Sequence, residues 1–155
     1  MAAAAELGNV ADLALEEAFP AGIRVLVIDD DRVSLKVVCI MLKKCGYEAT
    51  QCSSGKEALE MLTQNEGEFD IVLTDVHMPD VDGFELLEKV GLGMDLPVVM
   101  LSEDSSRETV VKGINHGACD YLIKPVQIEE LKKIAVHVLT WRNANSSIDP
   151  ELIED

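Results

Sequence analysis

Residues 70–84 read DIVLTDVHMPDVDGF, and this stretch decides the fold. DIVLT is a short, mostly apolar run rich in branched residues, as expected of a strand covered on both faces. It gives way at Asp75 to a loop carrying Pro79, then to Asp82–Gly83, which read as a turn and helix cap. Phe84, Leu87 and Val90 follow at helical spacing. The stretch is therefore a strand, a loop and a helix, with an aspartate where the strand stops.

The same alternation recurs between Arg24 and Leu139. Strands are expected at VLVI 25–28, YEATQC 47–52, DIVLT 70–74, PVVML 97–101 and DYLI 120–123. Helical stripes follow: Leu35, Val38, Leu42 and Cys45; Ala58, Leu59 and Leu62; Phe84, Leu87 and Val90; Val110, Val111 and Ile114; and Leu131, Ile134, Ala135 and Val138. Gly46 and Gly117 stand where helices end, and Ser54 where one begins. Five strands alternating with five helices make an α/β protein with a parallel sheet.

Composition narrows the function. The 155 residues suit one domain, and 29 acidic residues against 13 Lys and Arg give a net charge of −16. Such a field repels nucleic-acid backbones, so direct binding to DNA or RNA by this segment is not expected. No apolar run approaches the roughly 20 residues that span a bilayer, so no membrane role is expected. Residues 1–20, Ala-rich and acidic, lack the basic start of a secretory signal and read as a disordered tail. Cys39, Cys45, Cys52 and Cys119 show no zinc spacing and read as reduced thiols, which points to an intracellular protein.

In an open parallel sheet, ligands bind beyond the carboxyl ends of the strands. Asp29, Asp30 and Asp31 follow the first strand, Asp75 the third, Ser102 the fourth and Lys124 the fifth, so all are expected at one edge. Clustered carboxylates repel one another unless a cation intervenes. Mg²⁺, or another divalent cation such as Mn²⁺, suits two carboxylates plus a main-chain carbonyl, which His77 can supply. Such an ion makes Asp75 a plausible nucleophile toward a phosphoryl donor, with Lys124 and the Ser102 hydroxyl stabilising the transferring group.

The segments VIDDD, TDVHMPDVDGFELL, VVMLS and GACDYLIKP together resemble the receiver domains of two-component response regulators, over about residues 22–140. The resemblance implies a doubly wound (βα)5 flavodoxin-like fold, a five-stranded parallel sheet with helices on both faces. It implies that Asp29 and Asp30 are metal-site acids, that Asp75 is the phosphoacceptor and that Lys124 contacts the phosphoryl group. Ser102 becomes the switch hydroxyl, Tyr121 the switch aromatic whose ring moves inward, and Lys124–Pro125 a cis peptide. The expected domain covers residues 21–141, with Trp141 the last packing residue and 142–155 a polar acidic tail.

FPAGIRVLVIDDD, DVHMPDVDGFELLEKVGLGMDLPVVMLS and GACDYLIKPVQIEELK resemble plant type-B response regulators in particular. That implies a cytokinin-type His-to-Asp phosphorelay, a histidine-containing phosphotransfer protein as donor, a downstream effector or homodimer, and a place in the nucleus or cytoplasm. Such proteins continue into a basic linker and a Myb-like DNA-binding domain, which residues 141–155 do not match.

Other readings are weaker. A phosphorylation-independent pseudo-receiver usually loses an acid, the acceptor or the lysine, and this chain keeps all of them; Glu103, placed to crowd a donor, is its only support. A phosphatase with an Asp nucleophile needs an acid two residues on, where His77 stands. A flavodoxin needs hydroxyl and amide donors in its first loop, not three carboxylates. Arg32, where relatives often have Pro, could alter the start of the first helix or pair with a phosphoryl oxygen. The imidazoles of His77, His116 and His137 are assigned no chemistry.

Overall fold

A computed structural model of the protein describes residues 22–65 and 67–146. The N-terminal tail and the last nine residues lie outside the described residues.

The elements are β1 (Arg24–Ile28), α1 (Arg32–Lys44), β2 (Glu48–Cys52), α2 (Gly55–Gln64), β3 (Ile71–Asp75), α3 (Gly83–Gly93), β4 (Val98–Ser102), α4 (Arg107–Asn115), β5 (Asp120–Ile123), α5 (Ile128–Lys132) and α6 (Ile134–Ser146). All strands are parallel, in the order β2-β1-β3-β4-β5. Strand periodicity explains the unbroken apolar runs. Val25 and Val27 pack with α1, α5 and α6 on one face, while Leu26 and Ile28 pack with α2 and α3 on the other. Of β2, at the sheet's edge, only Cys52 is fully buried, which is why EATQC reads as polar.

The helices begin on side-chain caps. Asp31, Ser54, Asp82 and Ser106 each accept a main-chain N–H of the first turn of α1, α2, α3 and α4. Gly46 and Gly117 follow α1 and α4 at φ 88° and 104°, a region open to glycine. The Lys124–Pro125 bond is cis.

Three expectations are corrected in detail. The fourth stripe faces the sheet only through Val110, which is half-buried against the core; Val111 and Ile114 are 44% and 46% exposed. The buried position is Gly113, where an added Cβ would lie 2.9 Å from Met100 Sδ and 3.3 Å from Tyr121 Cδ2. Helix α4 thus meets the sheet through a missing side chain, which a count of apolar positions cannot register. The final stripe spans two helices broken at Lys133, whose N–H bonds back to Glu130 and Leu131 carbonyls. Lastly, α6 continues through Ser146, past the expected end at Trp141. Trp141 Nε1 donates to the Asp95 carbonyl at 3.0 Å, and Arg142 reaches the buried Asp70 carboxylate that Arg24 also grips.

Candidate functional site

Asp75 and Ser102 are the last residues of β3 and β4, and Asp29 and Lys124 directly follow β1 and β5. The sheet therefore brings side chains from four separate segments to one edge. The three acids after β1 divide their work. Asp31 caps α1; Asp29, 1% exposed, accepts the Asp31 N–H on Oδ1 at 3.0 Å; Asp30 faces solvent.

Oxygens of Asp29, Asp30 and Asp75 lie within 4.8 Å of one another. Lys124 Nζ lies 2.6 Å from Asp29 Oδ2 and 3.6 Å from Asp75 Oδ2, and is itself largely covered. Burial pushes the Asp75 carboxyl up to about 6; the Lys124 charge opposes this, and the neighbouring Asp29 adds to it. Burial works against the Lys124 ammonium too, yet its bonds and proximity to Asp29 and Asp75 keep its pKa above the ordinary value. One lysine shared between two buried carboxylates leaves negative charge uncompensated. This all-oxygen donor set fits a hard divalent cation.

The loop leaving Asp75 is fastened. Its Oδ1 accepts the Val76 N–H at 2.8 Å, and the Gly83 N–H returns to the Val76 carbonyl at 2.8 Å. A Cβ at Gly83 would lie 2.5 Å from the Asp75 carbonyl oxygen, so the chain can turn back this closely only without a side chain. Asp80 accepts the Lys56 N–H at 3.0 Å and the Gly55 N–H at 3.4 Å, pinning the loop to the start of α2. Those bonds hold its carboxyl below the ordinary range.

Ser102 is buried, and its Oγ accepts the Asp104 N–H at 3.0 Å. The Tyr121 ring is already inward, 9% exposed, with its hydroxyl donating to the Asp104 carbonyl at 2.7 Å. His77 has an exposed imidazole whose Nε2 lies 3.0 Å from Asp104 Oδ2. Glu103 and Arg32 are both exposed. Sequence reasoning did not single out Asp80 or Asp104. Each is an unremarked acid in a loop, signalled only by its place a few residues beyond Asp75 or Ser102.

Residues 25–136 match the response regulator receiver domain family. The chain is 60% identical over 121 residues to the two-component response regulator ORR21 of Oryza sativa subsp. japonica, covering 78% of this chain and 18% of that protein. It is 56% identical over 120 residues to ARR11 of Arabidopsis thaliana, covering 77% and 23%. The chain thus spans about a fifth of the length of these relatives. Among solved structures, the CheY-like receiver domain protein of Methanospirillum hungatei superposes with TM-score 0.69 at 31% identity, covering 80% of this chain and 99% of that one. The BeF3-activated DrrB receiver domain does so with TM-score 0.66 at 29% identity, covering 77% and 98%. With its sheet order, its site edge and its sequence all in agreement, this chain belongs to the response regulator receiver domain family.

Proposed function

We propose that Asp75 accepts a phosphoryl group from the phosphohistidine of a histidine-containing phosphotransfer protein, and that the acyl phosphate switches the domain between two conformations. The observation that carries this reading is the Asp75 carboxylate itself, desolvated between Asp29 and Lys124 at the carboxyl edge of the sheet. An Asp75 oxygen attacks phosphorus, the P–N bond breaks, and the imidazole leaves with a proton. Lys124 offsets charge on the transferring group, and the Ser102 hydroxyl bonds one of its oxygens. Asp29, Asp30 and Asp75, with the His77 carbonyl, would hold Mg²⁺ or Mn²⁺, which supplies charge neutralisation and orientation when bound. The domain turns over no separate substrate; hydrolysis of its own acyl phosphate resets it.

Similarity to plant two-component response regulators supports a cytokinin-type phosphorelay and a nuclear or cytoplasmic location. In relatives of several times this length, the phosphorylated domain would act on the remainder of the protein, on a downstream effector or through a homodimer. The net charge of −16 argues against this segment touching DNA itself.

The test is labelling by a phosphorylated histidine-phosphotransfer protein with and without Mg²⁺. Wild type is expected to take up label only with the metal, and Asp75→Asn none. Label retained by Asp75→Asn overturns the assignment, and a wild type that stays unlabelled marks a phosphorylation-independent interaction module.

A further inference from the structure

Asp104 lies in the β4–α4 loop and joins more of the site than any role so far given to it explains. Its main chain meets both switch residues: its N–H donates to Ser102 Oγ at 3.0 Å, and its carbonyl accepts the Tyr121 hydroxyl at 2.7 Å. Its side chain is tied on three sides. Oδ1 accepts the Ser106 N–H at 3.0 Å, Oδ2 accepts the Thr109 hydroxyl at 2.9 Å, and His77 Nε2 comes from the Asp75 loop to Oδ2 at 3.0 Å. The Ser106 hydroxyl, which caps α4, donates in turn to Thr109 Oγ1 at 2.9 Å. One residue therefore connects the loop after Asp75, the Ser102 hydroxyl, the Tyr121 ring and the first turn of α4.

We propose that Asp104 is a positioning residue for phosphoryl transfer: its carboxylate, gripped by His77, Ser106 and Thr109, fixes the main-chain N–H and C=O that set Ser102 and Tyr121 in their inward, phosphoryl-receiving places. This rests on the reading of Asp75 as phosphoacceptor. Tyr121 packs against Gly113 and Met100, and its hydroxyl keeps its bond to the Asp104 carbonyl only while that carbonyl stays where the side chain holds it. A loop without that anchor samples other positions, and any ligand needing the inward arrangement loses affinity in proportion to its population.

Substitution of Asp104 by Ala keeps both main-chain groups and removes only what fixes them. Beryllofluoride with Mg²⁺ serves as the phosphoryl probe, and the ring signals of Tyr121, one of two tyrosines in the chain, report its position by NMR. Asp104→Ala is expected to bind beryllofluoride about five-fold more weakly, the effect of one modest hydrogen bond, and to show Tyr121 ring signals shifted before any ligand is added. His77→Ala is expected to move both readouts the same way, by about two-fold in affinity. His77→Gln, whose amide can donate to the same carboxylate, is expected to restore them. A purely structural role would lower stability to urea while leaving the Tyr121 signals and the beryllofluoride affinity of both variants at wild-type values, and that result overturns the proposal. If wild type itself takes up no beryllofluoride, the reading of Asp75 fails instead, and the Tyr121 signals of the unliganded variants still decide the role of Asp104.

Discussion

Lys124 donates to Asp29 at 2.6 Å although β5 and β1, the strands that carry them, are separated in the sheet by β4 and β3. The lysine reaches across the carboxyl edge, with the Asp75 carboxylate 3.6 Å from the same nitrogen. Replacing Lys124 by Ala leaves two buried carboxylates facing each other. Breaking a buried pair by removing one partner costs several kcal/mol, so Lys124→Ala is expected to lose about 3 kcal/mol of stability at pH 7. Urea unfolding measures it, and the deficit should shrink on acidification as Asp75 takes up a proton.

Asp75→Asn should have the opposite sign without metal. A carboxyl raised from 3.8 to about 6 binds its proton more tightly folded than unfolded. Its contribution to stability is present in full below the unfolded value and lost as pH rises through about 6. The asparagine variant avoids that loss, so it should exceed wild type by about 2–3 kcal/mol at pH 7, with the gap closing toward pH 4. Parallel urea titrations across this range check it; a gap that widens on acidification would contradict the burial argument.

At the proposed metal site, Mg²⁺ would compete with the same proton. Its apparent affinity for the wild-type domain should rise with pH up to and slightly beyond about 6 and level off above, with release of a proton in that window. Calorimetry in two buffers of different ionisation enthalpy measures the proton count. An affinity independent of pH between 5 and 7 would exclude Asp75 as a ligand.

At the opposite edge, Asp70 accepts the Arg24 N–H at 2.9 Å and both arms of its guanidinium, and Arg142 closes on it from α6. Burial alone would push the Asp70 carboxyl up, but the bonds from Arg24, reinforced by the Arg142 charge, outweigh it and hold it below the ordinary range. The stability it contributes is therefore present above the unfolded value and lost on acidification. Asp70→Asn should cost about 2–3 kcal/mol at pH 7. It should also speed amide exchange in residues 140–146, which separates loss of this tie from a general weakening.

Gly83→Ala should cost at least about 3 kcal/mol, because the added Cβ meets main-chain atoms of Asp75 and Val76 that cannot rotate away. Gly91→Ala, where nothing lies within 4 Å, is the matched control and should be neutral or stabilising. Thermal unfolding of the two variants side by side measures the contrast.

The five strands and the site edge were legible because both depend on local chemistry. Apolar runs such as VLVI must be covered on both faces, and four of the five runs stop at an acid, a hydroxyl or a lysine: Asp29, Asp75, Ser102 and Lys124. The caps at Ser54 and Asp82 were legible for the same reason, since a helix start needs an acceptor within its own few residues. What lay between elements was not. Val111 and Ile114 carry a helical apolar pattern and still face outward, because the approach of α4 is set by Gly113 against Met100 and Tyr121, residues on other strands. Nor does any local signal pair Asp70 with Arg142, 72 positions away, or let α6 run on past Trp141.

The sequence by itself determined the alternation of strands and helices and which acids, hydroxyl and lysine end the strands, since period and residue type are properties of short segments. Only the tertiary structure decided that Lys124 serves Asp29 and Asp75 together, that burial raises Asp75 to about 6, and that Asp104 ties Ser102, Tyr121, His77 and α4. Those are matters of distance and desolvation, which exist only once segments remote in the chain have packed against one another.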